Sequence, residues 1–284
     1  MDSLIRESKP ASPDREGEPV PAVELRRVSL SFDEKTVLED VSFRLGAGET
    51  LVLLGVTGAG KSVLLKLILG LLKPDSGQVL VDGQDLTPLA ETELFPLRRK
   101  MGIVFQEGAL FDSLSVFENV AYRLREEGEK DEERIERRVR EVLRFVELEH
   151  ALDKMPAELS GGMRRRVSIA RAIVSEPSIM LYDSPTAGLD PVTAHTINVL
   201  IAKLRDVQGV STLVVTQRLA DAFMLANFRY STEQMTLVPA GGDGTAGKRV
   251  PTRFLVLRDG VVHFWGSTEE ITSTPDPYIR KFLA

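Results

Sequence analysis

The sequence contains no cysteine in its 284 residues. That absence excludes a disulfide framework, a thiolate zinc site and a cysteine nucleophile together, and it fits a reducing compartment. Histidine is scarce, and His150, His195 and His263 lack the spacing of metal ligands. A surplus of positive charge is missing too. Lys and Arg total 36 against 42 Asp and Glu, a formal net charge of -6, so no strongly basic face for nucleic acid follows. The best apolar run, VLLKLILGLL at 63–72, carries Lys66 and falls far short of the roughly 20 residues of a membrane span. Residues 1–21 place charges and prolines where a signal peptide needs an apolar block, and read as a flexible leader. The expectation is a cytoplasmic protein that meets any membrane through a partner.

What is present is a composition that can bury a core: 43% hydrophobic and 27% charged residues. VELRRVSLSF and VLEDVSFRL alternate apolar and polar residues, as half-buried strands do. TLVLLG at 50–55 is continuously apolar, the pattern of a strand covered on both faces. KSVLLKLILGLL then suits a buried helix, and QVLVDG and MGIVFQ at 101–106 read as further strands. Residues 107–176 change character to helical periods, as in SVFENVAYRLREE and DEERIERRVREVLRFVEL. Strand signals resume with SIMLYD at 178–183 and STLVVT at 211–216, separated by the helical PVTAHTINVLIAKLRDVQG. The pattern predicts an α/β core with a mainly parallel sheet, over 22–106 and 177–284, interrupted by a helical subdomain at 107–176. The Gly-rich PAGGDGTAGKRVP, within 238–251, reads as a flexible hairpin loop between two strands. FLVLRDGVVHFWG reads as a hairpin turning at Asp259-Gly260, and PDPYIRKFLA as a short terminal helix.

Three motifs carry chemistry. Gly55-Val56-Thr57-Gly58-Ala59-Gly60-Lys61-Ser62 fits G-x-x-x-x-G-K-[ST] between a buried strand and a helix. Its glycines let backbone N–H groups curl around phosphate oxygens, and the helix points its positive end at the same anion. Lys61 then reaches the β- and γ-phosphates and the Ser62 hydroxyl ligates Mg²⁺. SIMLYD ends in Asp183, a carboxylate placed to hold that metal through its water shell. Leu159-Ser160-Gly161-Gly162-Met163 opens a helix and makes a second anion site. One chain with one nucleotide has little need of two. A head-to-tail dimer, in which Ser160, Gly161 and Gly162 cap a nucleotide held by the other subunit, accounts for it.

In these motifs and their order the chain resembles the ATPase subunits of ABC transporters over most of residues 22–284. The resemblance implies a P-loop NTPase fold with added antiparallel β elements, ATP and Mg²⁺ as ligands, and a second ATPase subunit, identical or related, as partner. It also implies integral-membrane permease subunits and a place on the cytoplasmic face of the inner membrane. By the same resemblance Gln106 contacts Mg²⁺ and the attacking water, Phe32 stacks on adenine, and Gly188-Leu189-Asp190 is the D-loop. A narrower likeness, in FQEGALFDSLSVFENVAYRLRE and PDPYIRKFL, is to the ATPase of Mla-type phospholipid transporters, which work with MCE-domain proteins. Phe111, Leu114, Val116 and Phe117 then either line a groove for a membrane subunit or belong to the subdomain core. Arg164-Arg165-Arg166 reads as a solvated helix face.

Two departures from the family pattern bear on rate. Ser184 follows Asp183 where the family usually has Glu, and Gln217 follows LVVT where it usually has His. Serine is no general base near neutral pH and glutamine carries no proton. The function expected is therefore an ATP-driven motor subunit for lipid transport. The alternative is a regulatory or structural subunit that binds ATP and hardly turns it over. A soluble relative acting on DNA or ribosomes is disfavoured, because the chain has no second cassette and no basic surplus.

Overall fold

A computed structural model describes residues 19–240 and 250–283. The alternating N-terminal segments form an antiparallel pair, β1 (Val23–Phe32) and β2 (Lys35–Leu45), with Val23, Leu25, Val28 and Leu30 turned inward. Then follow β3 (Thr50–Leu54), α1 (Lys61–Ile68), β4 (Ser76–Val81), β5 (Gln84–Asp85), α2 (Glu91–Arg99) and β6 (Met101–Val104). Three longer helices come next: α3 (Val116–Glu126), α4 (Glu132–Phe145) and α5 (Gly161–Ile173). Each begins on a side-chain cap, from Ser115, Asp131 and Ser160 respectively, which satisfies N–H groups the helix cannot pair itself. The α4 charge run is solvated as expected, and only its Ile135, Val139, Val142 and Leu143 stripe is buried.

The chain continues through β7 (Ile179–Asp183), α6 (Pro191–Gln208), β8 (Ser211–Val215), α7 (Leu219–Asn227), β9 (Phe228–Ser231) and β10 (Thr236–Pro239). It ends with β11 (Thr252–Arg258), β12 (Val261–Ser267), α8 (Thr268–Ser273) and α9 (Pro277–Leu283). The main sheet runs β12-β11-β3-β8-β7-β6, parallel throughout except for β12. A second, antiparallel sheet is ordered β2-β1-β4-β5. Period-two alternation divides the main strands between two cores. Ile179 and Leu181 pack with the antiparallel sheet and α1, while Met180 and Tyr182 pack with α3, α4, α5 and α6.

At the turn between β11 and β12 Asp259 and Gly260 both have positive φ, as the sequence reading required. The hairpin expected across 238–251 is not formed. β10 pairs with β9, whereas β11 pairs with β3 and β12, so the flanking strands lie in different sheets. Most of that Gly-rich segment, 241–249, lies outside the described residues, as do leader residues 1–18. Among the described residues no helix is long and apolar enough to cross a membrane.

Because β3, β8, β7 and β6 are adjacent and parallel, the segments leaving their C-terminal ends share one edge. Those segments begin with Gly55, Thr216, Ser184 and Phe105. In open α/β sheets that edge is where ligands bind.

Candidate nucleotide site

The loop after β3 is shaped by backbone that only glycine tolerates well. Gly55, Gly58 and Gly60 have φ of 153°, 82° and 98°. A Cβ on Gly55 would sit 2.5 Å from the Leu257 carbonyl oxygen, so β11 forms the loop's rear wall. Gly60 is the N-cap of α1 and supplies no side chain, which leaves the first-turn N–H groups to an anion. Lys61 is 7% exposed and donates to the carbonyls of Gly55 (2.9 Å) and Val56 (2.8 Å). Burial lowers its pKa, and the nearby Asp183 carboxylate partly opposes that.

Asp183 ties the site together across the sheet. Its carboxylate accepts from Ser62 Oγ at 2.8 Å and from Ser184 Oγ at 3.3 Å. A hydroxyl and a carboxylate in contact are hard oxygen donors, and this pair fits Mg²⁺, which favours one or two carboxylates plus phosphate oxygens. Ser184 adopts φ 48°, uncommon for a residue with a side chain, and its N–H donates to the Val215 carbonyl at 2.9 Å. Gln217, after β8, donates from Nε2 to Thr57 Oγ1 at 3.3 Å. Gln106 is exposed on the loop after β6. Phe32, the last residue of β1, is 44% exposed, which removes it from the core and leaves its ring free to stack.

The second cluster lies at the start of α5 and α6. Ser160 Oγ accepts from Met163 N at 3.2 Å. Asp190 caps α6 by accepting from Val192 N and Thr193 N, both at 3.0 Å, and from the Thr193 hydroxyl. The two helix starts touch: a Cβ on Gly162 would lie 2.3 Å from Thr193 Cγ2, and one on Gly161 3.5 Å from Leu189 Cδ2. Ser160, Gly161 and Asp190 are exposed. The expected residues that the contacts bring together form two groups, Lys61, Ser62 and Ser184 around Asp183 with Gln217 bonded to the phosphate loop, and Ser160 to Gly162 with Asp190 at the paired starts of α5 and α6.

Some residues at the site escaped the sequence reading. The Arg164-Arg165-Arg166 triplet is not a uniformly solvated face: Arg165 is 5% exposed and donates to the Phe105 carbonyl at 2.6 Å. Burial lowers its pKa, against the attraction of Glu107 and Asp183. Asp221 on α7 is buried and accepts from Asn198 Nδ2 (2.7 Å) and the Thr186 hydroxyl, with Arg218 alongside. This bracket ties the turn after Ser184 to α6 and α7. Of the proposed groove residues, Val116 is wholly buried and belongs to the core, Leu114 and Phe117 are half-buried, and Phe111 is 42% exposed. His263 pairs with Asp276, and the described residues hold no cluster of metal-ligating side chains.

Comparison with known proteins gives the same picture. The ABC transporter family profile matches residues 38–187. The chain is 41% identical over 263 residues to the "Probable ribonucleotide transport ATP-binding protein mkl" of Mycobacterium leprae, covering 92% of this chain and 68% of that one. It is 32% identical to the intermembrane phospholipid transport system ATP-binding protein MlaF of Escherichia coli, covering 92% and 88%. Among solved structures it resembles the ATP-binding cassette MJ0796 in a dimeric post-hydrolysis state with ADP and Pi. The TM-score there is 0.72 at 31% identity, with 86% of this chain and 98% of that one covered. On its motifs, its sheet order and these matches, the chain belongs to the ABC transporter family, as an ATP-binding subunit.

Proposed function

We propose that the chain is the ATP-binding motor subunit of a bacterial phospholipid transporter of the Mla/MCE type. It would sit on the cytoplasmic face of the inner membrane against permease subunits, with an MCE-domain protein in the assembly. The observation that carries the ATP-binding part is the Ser62–Asp183 contact at 2.8 Å beside a buried Lys61. It brings together a hydroxyl, a carboxylate and an ammonium group, a donor set that suits a triphosphate and its metal, which supports the reading. The phospholipid assignment is supported by likeness to MlaF across most of both chains. The higher identity to mkl, named for ribonucleotide transport, favours a second reading of the cargo. Mass spectrometry of small molecules retained by the purified native complex decides between them: phospholipid supports the first reading and ribonucleotide the second.

Each residue then has a task. Lys61 exchanges its two carbonyl partners for phosphate oxygens, and the N–H groups of the 55–62 loop surround the same phosphates. Phe32 stacks on the base. Mg²⁺, held through Ser62 and Asp183 with Gln106 near the attacking water, would neutralise charge developing on the β- and γ-phosphates. Ser160, Gly161 and Gly162 cap the nucleotide of the second subunit, with the D-loop residue Asp190 beside them, so two subunits close over two shared ATP molecules. The stage short of a group is proton removal from water. Ser184 cannot accept the proton near neutral pH, and Gln217 can only position by hydrogen bonds. We infer slow turnover, since loss of a general base costs about 10²–10⁴-fold. Ser184→Glu in the assembled complex is expected to raise steady-state phosphate release about 10²-fold. Brisk hydrolysis by the unmodified complex, unaltered by this change, would refute the inferred attenuation.

A further inference from the structure

Ser160 and Arg165 stand on one helix, separated by about 7.5 Å of rise. Their surroundings are opposite. Ser160 faces out at the exposed start of α5, while Arg165 is turned into the chain's own nucleotide half. Its guanidinium is held to the carbonyl of Phe105, the residue before Gln106, at 2.6 Å. Farther along the same helix Arg171 donates to the Gly108 carbonyl at 3.1 Å. The loop carrying Gln106 and Glu107 is therefore fastened to α5 on both sides. The loop also rests on the helix: a Cβ on Gly108, whose φ is 82°, would lie in ordinary contact with the Arg164 carbonyl oxygen at 3.5 Å. Removing a guanidinium from water is costly, and an apolar side chain would fill the same space without that cost. The arrangement therefore needs a reason besides packing.

We propose that Arg165 is a positioning residue that locks Gln106 to α5, so that the ATP capped by Ser160 in one site sets the position of Gln106 in the other. Each subunit offers Ser160 to its partner's nucleotide and keeps Gln106 for its own. A rigid helix joining them carries the state of one site to the next. The inference rests on the shared-site reading above. Arg171 extends the same strut outward, its guanidinium 5.7 Å from the ring centroid of Phe111, which packs on Tyr122 at 4.7 Å.

The test is hydrogen exchange on the full chain, with and without Mg-ATP, read at 55–62 and 105–108 beside sedimentation and the thermal shift. In the unmodified protein Mg-ATP is expected to protect both segments. Arg165→Met should keep the thermal shift and the protection of 55–62. At 105–108 it should exchange about tenfold faster, as loss of one charge-assisted hydrogen bond implies, and should no longer respond to Mg-ATP. Arg165→Lys, which retains a charged donor, should restore much of the response; a purely packing role would be served as well by Met. Ser160→Arg should silence 105–108 while leaving 55–62 protected. A normal response of 105–108 in Arg165→Met overturns the role of Arg165. A response in an unmodified chain that sediments as a monomer under Mg-ATP overturns the cross-site coupling, and a Mg-ATP-dependent dimer unaffected by Ser160→Arg overturns the shared-site reading instead.

Discussion

The two clusters of the site are held in different ways. Around the Gly55–Ser62 loop, side chains from segments distant in sequence already bond to one another, Ser62 to Asp183 and Gln217 to Thr57, and Ser184 bonds to its neighbour Asp183. At the starts of α5 and α6 the bonds of Ser160 and Asp190 stay within their own first turns, on exposed surface. The first cluster is pre-organised by a single chain, so its free energy of ordering is spent in folding. In the proposed assembly the second is half of a site that the other subunit completes.

Three changes break or sharpen that contrast, in descending order of effect. Lys61→Ala strikes the self-sufficient cluster. Mg-ATP at 100 times its dissociation constant stabilises a folded chain by about 2.7 kcal/mol, and most of that thermal shift should vanish while the apo protein melts as before. Ser160→Arg strikes the other cluster. It should leave the thermal shift of the lone chain in place and weaken Mg-ATP-dependent dimerisation about tenfold by analytical ultracentrifugation. An ATP-bound complex with Ser160 far from every phosphate would end that assignment. Tyr182→Phe asks whether the support under Asp183 is strained. The Tyr182 hydroxyl is buried without a hydrogen-bond partner among the described residues, and burial raises its pKa. Removing it should be neutral or stabilise by up to about 1 kcal/mol in denaturant melts, with no effect on nucleotide binding.

The pre-organised cluster was legible in the sequence because its signals are contiguous. Eight consecutive residues set the phosphate loop, and an apolar run ending in Asp183 fixes the second wall. The Asp259-Gly260 turn was legible for the same reason. What escaped is what helical phase or distant pairing decides. Arg165 stands four residues before Ile169 and eight before Ile173, both buried, so the period of α5 turns it inward. Read as a basic triplet, that phase was lost. The bracket of Thr186, Asn198 and Asp221 joins three elements and leaves no local pattern. The hairpin expected across 238–251 failed because strand order cannot be read from neighbouring strands in sequence. β10 had a partner before it, in β9, and β11 was claimed by β3.

That claim has a consequence for how the protein is made. Leu257 supplies the carbonyl behind Gly55, and β11 lies along β3 from Thr252 to Val256. During translation the phosphate loop leaves the ribosome long before the strand that backs it. Synthesis proceeds at about 5–20 residues per second, so the nascent loop waits many seconds without its rear wall. A chain truncated before β11 carries the complete nucleotide motif and lacks the surface against which that motif is shaped. Tight nucleotide capture is therefore expected only once nearly the whole polypeptide has been released, and a chain ending before Thr252 should show a smaller Mg-ATP thermal shift than the full one.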